Sequence, residues 1–205
     1  AYNLEFGINK YFDEKNYLLS AVAYYTLLED YIYRAPFEIN GEDTIIYNGE
    51  EMTMTANVNM DQAYVMGSTI MARGNFTNTL NGYASLTFTK GKSYDTDVPL
   101  SSIPPTFGNV GFGYNKNRLA TGLNFKFNTK KSLEDYNLEE GIDNIEETPF
   151  IEETQKYYGT PSWTSLDFFA RYRILKEVNL QFGLDNIFDQ HYKEFASSIS
   201  APGRN

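Results

Sequence analysis

The 205-residue chain contains no cysteine and a single histidine, His191. Those two shortages remove most site chemistry at once. A transition-metal centre needs clustered thiolates or imidazoles, and neither is available. A Ser-His-Asp or Cys-His nucleophile would have to recruit His191, which sits beside Asp189 in a loop-like stretch. A solvated loop histidine is the plainer reading, so no enzymatic role is expected. Long apolar runs are also lacking: mean hydropathy is −0.47, and no stretch approaches the ~20 residues of a membrane helix. No segment keeps a helical apolar period for three turns. No basic, apolar leader opens the chain, so no signal peptide is expected and the chain reads as a piece of a longer protein. Cationic surplus is missing as well. The net charge is −10, which makes a nucleic-acid partner a poor fit.

What the chain has instead is aromatics and alternation. Tyr (17) and Phe (15) supply most of a 16% aromatic content. Over Val178–Asp185, Val178, Leu180, Phe182 and Leu184 share one face, and Asn179, Gln181, Gly183 and Asp185 the other. A strand with one wholly apolar and one wholly polar face suits a membrane barrel, with lipid outside and water inside. A spanning strand needs only ~10 residues, half of them polar, which hydropathy averages miss. The same period of two runs through Tyr2–Phe12, Tyr17–Tyr33, Tyr64–Ala72, Leu80–Phe88, Val110–Tyr114, Leu119–Phe127 and Leu166–Ile174, about eight strands in all. Leu119, Leu123, Phe125, Phe127, Leu180, Phe182 and Leu184 are expected to face lipid. Asn124, Lys126, Asn179, Gln181 and Asp185 are expected to face the lumen. Glycines within strands are expected to let a barrel bend or another backbone approach.

The connections alternate in length. Residues 13–16, 74–79, 115–117 and 175–177 are short, while 34–61, 91–106, 129–162 and 186–203 are long. The longest, 129–162, holds nine acids and three bases. Short turns at one end and long loops at the other are the habit of outer-membrane barrels. A soluble sandwich has no reason to keep that order over four hairpins. The fold expected is all-β: an antiparallel up-and-down transmembrane β-barrel segment.

The chain's last stretch carries a more specific pattern. Asn186-Ile187-Phe188-Asp189 ends a strand, Tyr192 follows, and Pro202-Gly203-Arg204-Asn205 closes the sequence. This block resembles the C-terminal end of TonB-dependent outer-membrane receptors. The resemblance implies that residues 1–205 are the C-terminal part of a 22-stranded barrel, its final strand missing and its plug domain and TonB-contacting box outside this chain. It further implies import of a scarce nutrient across the bacterial outer membrane with TonB-supplied energy, the ligand being of the ferric siderophore, haem or cobalamin class. Outer-membrane lipid and lipopolysaccharide, the protein's own plug, TonB and a small-molecule ligand are the partners implied. Two other readings stay open: a passive, plug-less porin-type barrel, and a soluble all-β binding module.

Three groups of residues are candidates for a site. Tyr157, Tyr158 and Trp163 stand where a strand meets the longest loop, which suits either an interfacial girdle or ligand capture at the mouth. Arg171 and Arg173 lie on a polar face near the short-turn end. A charge in a lumen needs water or a partner, and under the resemblance these two arginines would meet plug carboxylates. The acidic run of residues 134–153, with Glu134, Asp135, Glu139, Glu140 and Asp143, reads as a solvated loop. A bound Ca²⁺ or capture of a cationic ligand are its alternatives, although no regular oxygen-ligand spacing appears. Gly108-x-x-Gly-x-Gly113 lacks the following helix of a phosphate loop.

Overall fold

The computed structural model describes residues 1–135, 150–151, 156–157, 160–195, 197 and 199–205. One antiparallel sheet of eight strands dominates it. Its members are β1 (Tyr2–Phe12), β2 (Tyr17–Pro36), β5 (Thr55–Asn75), β6 (Leu80–Ser93), β7 (Phe107–Lys116), β8 (Leu119–Asn128), β11 (Trp163–Arg173) and β12 (Asn179–Leu184). They lie side by side in chain order, so every neighbour is a hairpin partner. Two minor hairpins stand apart. One pairs β3 (Thr44–Tyr47) with β4 (Glu50–Thr53), the other β9 (Phe150–Ile151) with β10 (Lys156–Tyr157). The sheet is not closed: β1 and β12 are its edges.

Register turns the alternation of each strand into two continuous faces. Phe112 lies opposite Leu123, which lies opposite Phe168, which lies opposite Leu184. The same row reaches back through Ala84, Ile70 and Ala21 to Ile8 by one-rung steps. On the other face Tyr83, Gly111, Asn124 and Asp167 are successive cross-strand neighbours. A soluble sheet would bury the apolar face under a second layer. Here only Leu18, Ala35, Ala63, Leu100 and Tyr192 are buried hydrophobics among the described residues. Even on strands with a neighbour on each side, Phe112 is 51% exposed, Ile70 49% and Leu123 44%. An apolar surface this wide, in alternation with a polar one, suits a lipid-facing barrel wall. A hydroxyl on that face is dealt with locally: Thr121 Oγ1 donates to the Phe169 carbonyl at 2.8 Å.

Two details differ from what the sequence predicts. Residues 34–61 read as a long loop. Strands β2 and β5 instead stay paired as far as Pro36 and Thr55, and only the β3–β4 hairpin tops them. Above a membrane both strand faces meet water, so pairing continues where the apolar alternation has stopped. The second concerns Tyr31 and Tyr33, which the alternation puts in the same row as Leu19–Leu27. Asp30 adopts a left-handed backbone with φ 52°. Beyond it both tyrosines pack on a cluster centred on Ala63 and Leu100, where the 94–106 connection folds across β5 and β6.

Glycines inside the strands have a sharper role than bending. A Cβ on Gly67 would strike the ring of Tyr24, one on Gly111 the ring of Tyr83, and one on Gly122 the ring of Phe169. On the apolar face Gly74 likewise seats Tyr17, and Gly108 seats Phe127. Each glycine leaves a shallow floor on which a cross-strand ring lies flat, so bulky side chains hug the sheet instead of projecting from it.

Candidate functional site

The polar face is the surface on which chemistry is available. Its strands are tied by side-chain bonds that only the register brings together. Ser85 Oγ donates to Asn109 Oδ1 at 2.6 Å, and Tyr83 Oη donates to Asn124 Oδ1 at 2.9 Å, bridging past β7. Lys126 Nζ and Asp167 Oδ2 are 2.9 Å apart. The same carboxylate accepts the Asn186 backbone N–H at 3.0 Å and the Ser165 hydroxyl at 3.2 Å. Asp167 therefore satisfies three donors, as a half-buried charge on a barrel wall must.

Asn186 is the centre of a clasp at the long-loop end. It is 3% exposed and left-handed, φ 48°. Asparagine tolerates that conformation because its short amide bonds locally. Its Nδ2 donates to the carbonyls of Gln190 (2.9 Å) and Pro202 (3.2 Å), and its Oδ1 accepts the Gln190 N–H at 3.1 Å. Gln190 Oε1 accepts the Thr164 N–H at 3.2 Å. Asp189 accepts the Arg204 N–H at 2.8 Å, and Arg204 Nε donates to the Ile187 carbonyl at 3.1 Å. The two ends of the 186–203 connection are thus stapled together, and Asn205 arrives opposite Asp185 with both backbone bonds formed, at 2.8 and 3.3 Å. The conspicuous motif residues of the sequence serve this staple. His191 is exposed beside it, and the Asp189 carboxylate is engaged with Arg204.

The candidates named from sequence are placed as follows. Trp163 opens β11 on the polar face, two positions from Ser165 and opposite Asn128. Its ring stacks on Tyr192 with centroids 4.2 Å apart and planes at 22°. Its indole N–H is buried and has no hydrogen-bond partner among the described residues. Together with Ser85, Asn109, Lys126, Asn128 and Glu194 it lines a cavity of about 370 Å³. Tyr157 has its backbone in β10, while its side chain and the whole of Tyr158 lie outside the described residues. Arg171 and Arg173 are exposed on the polar face, beside the short turn after β11. They border one recess with Lys116 and Arg118, and neither has an ion pair among the described residues. Of the acidic run, residues 136–149 and 152–153 lie outside the described residues, and the Ca²⁺ reading with them.

An open antiparallel sheet in strict chain order, apolar on one face and polar on the other, with turns short at one end and long at the other, is the wall of an outer-membrane type of β-barrel. The chain belongs to the TonB-dependent receptors: the family model "TonB dependent receptor-like, beta-barrel" matches residues 1–187. It is 28% identical over 156 residues to the "Probable hemoglobin and hemoglobin-haptoglobin-binding protein 4" of Haemophilus influenzae, a match covering 70% of this chain and 15% of that protein. Among solved structures it resembles the "Copper transporter OprC", with TM-score 0.71, 19% identity, and coverage of 98% of this chain and 30% of the other. It also resembles the ferric enterobactin receptor PfeA of Pseudomonas aeruginosa, with TM-score 0.66, 16% identity, and 98% and 29% coverage. The chain therefore spans less than a third of the length of the relatives it matches.

Proposed function

We propose that the protein carrying this chain imports a scarce nutrient of the ferric siderophore, haem or cobalamin class across the bacterial outer membrane, using energy delivered through TonB. The observation that carries the reading is the two-faced wall itself. Its apolar rows suit lipid, and its polar face suits a lumen filled by a plug. The family and the neighbouring transporters and receptors support import over catalysis. Within that class, haem and ferric siderophores are favoured by the haemoglobin-binding relative and the enterobactin receptor.

Within that reading the long-loop end faces outward from the cell, because outer-membrane barrels keep their long loops there. Trp163, with Tyr157 and Tyr158, then belongs to the ligand-receiving mouth. Arg171 and Arg173 sit at the periplasmic end, and their role is to hold plug carboxylates by charge-assisted hydrogen bonds. The test is growth of the source bacterium under iron limitation with the gene deleted. Loss of growth on one supplied form (haemoglobin, haem or a defined ferric siderophore), restored by the gene only in cells with TonB, is the expected result. Restoration in cells lacking TonB would overturn it in favour of a passive pore.

A further inference from the structure

Lys131 is 3% exposed and is the only charged residue buried among the described residues. An ammonium out of water is costly unless it is bonded. An apolar side chain of similar volume would fill the same place without that cost. What the charge adds is direction, and here it is aimed at two other segments of the chain. Lys131 Nζ donates to the Ile103 carbonyl at 2.7 Å. It also stands 4.7 Å from the centre of the Phe195 ring, within the range of a cation–π contact. Its backbone is paired both ways with Thr160, at 3.1 Å in each direction.

These partners belong to three different long connections. Ile103 lies in 94–106 and packs with Leu100 on the cluster centred on Ala63. Lys131 and Thr160 close the base of 129–162, one step beyond the Asn128–Trp163 pair that ends the β8–β11 ladder. Phe195 lies in 186–203, whose ends the Asn186 clasp holds. Lys131 is where the three meet. Its partners also shape the cavity under Trp163. Pro104 lines it from the first connection, and Glu194 and Phe195 from the third. Lys131 itself does not line that cavity. Any influence it has there passes through Ile103 and Phe195. Lys126 makes the contrast: its ammonium binds Asp167 within the wall, whereas that of Lys131 joins loop to loop.

We propose that Lys131 is a positioning residue, whose ammonium locks the three connections into one block and so holds Phe195 as a fixed wall of the Trp163 cavity. The use of that cavity as part of the ligand-receiving mouth rests on the reading under Proposed function; the locking is a property of this chain alone. A sector locked in this way meets a ligand already shaped, so less conformational freedom is lost at capture. The carbonyl and the ring face both call for a cation on a long stem. Arginine supplies one, and methionine supplies only the stem.

The test is a pulsed electron-paramagnetic-resonance distance measurement on full-length receptor in lipid nanodiscs, with no ligand added. Nitroxides are carried at Ser101→Cys and Ile199→Cys, one in each outer connection; this chain has no thiol of its own. A single narrow distance distribution is expected with Lys131 intact and in Lys131→Arg. Lys131→Met is expected to broaden it about twofold or more, while keeping the heat-modifiable migration of a folded barrel. Phe195→Leu is expected to broaden it too, and combining the two changes should add little, because both break one link. A distribution as narrow in folded Lys131→Met as with Lys131 intact would overturn the proposal. So would broadening by Lys131→Arg equal to that by Lys131→Met. Should Lys131→Met fail to fold, Phe195→Leu decides: a narrow distribution there overturns the latch. The distances depend on neither TonB nor ligand, so a failed latch shows here and a failed import reading shows in the growth assay.

Discussion

Lys126 Nζ meets Asp167 Oδ2 at 2.9 Å along a diagonal of the β8–β11 pair, since the direct partners are Lys126 with Ser165 and Asn124 with Asp167. That carboxylate also holds the Asn186 N–H, and so links the wall to the clasp above it. Asp167→Ala strands an ammonium and a backbone donor together. It is expected to cost about 1–3 kcal/mol of barrel stability in denaturant titrations from vesicles. Adding Lys126→Met should recover part of the loss. A double-mutant coupling near zero would mean the contact is incidental.

The ring seats give a second expectation. Gly111→Val pushes the Tyr83 ring off the sheet and is expected to destabilise by about 1–3 kcal/mol. Tyr83→Ala in the same chain should relieve much of that. A Gly111→Val loss of the same size with and without Tyr83→Ala would reject the seat.

These seats show where the sequence stops being legible. The eight main strands can be read because lipid on one side and water on the other impose a period of two, residue by residue. Which ring lies over which glycine cannot, since it depends on cross-strand register and Gly111 and Tyr83 are far apart along the chain. The tops of β2 and β5 escape the pattern where both faces meet water. Asn186–Asp189 and Pro202–Asn205 are visible as a pattern, but their mutual bonding appears only once the intervening loop is closed. Trp163 stands out as a loop-edge aromatic; its stack on Tyr192 needs the clasp.

The lipid face can be probed by charge. Phe182→Lys places an ammonium in the hydrocarbon and is expected to cost ~2–4 kcal/mol, while Gln181→Lys, one residue away on the polar face, should cost under ~1 kcal/mol. Asn124 is a less clean comparison than Gln181, because Asn124 accepts the Tyr83 hydroxyl. Unfolding of both variants in the full-length receptor supplies the measurement.

The plug-holding role proposed for Arg171 and Arg173 can be tested by removing their charge. Changing both to Gln in the full-length receptor is expected to leave barrel assembly intact and to raise passive leak of small antibiotics several-fold, through a loosened plug. Unchanged leak and unchanged uptake together would remove these arginines from the plug interface.

Each role assigned to these residues depends on the two faces of the sheet dividing lipid from lumen. Because the chain contributes no native thiol, single cysteines report on that division directly. Full-length receptor carrying Phe125→Cys, Phe182→Cys or Gln181→Cys is placed in vesicles and challenged with a small water-soluble thiosulfonate and, separately, a lipid-phase maleimide. The cysteines at positions 125 and 182 are expected to react only from the lipid phase, and the one at 181 only from water. Water-phase labelling at 125 and 182, matching that at 181, would contradict the division.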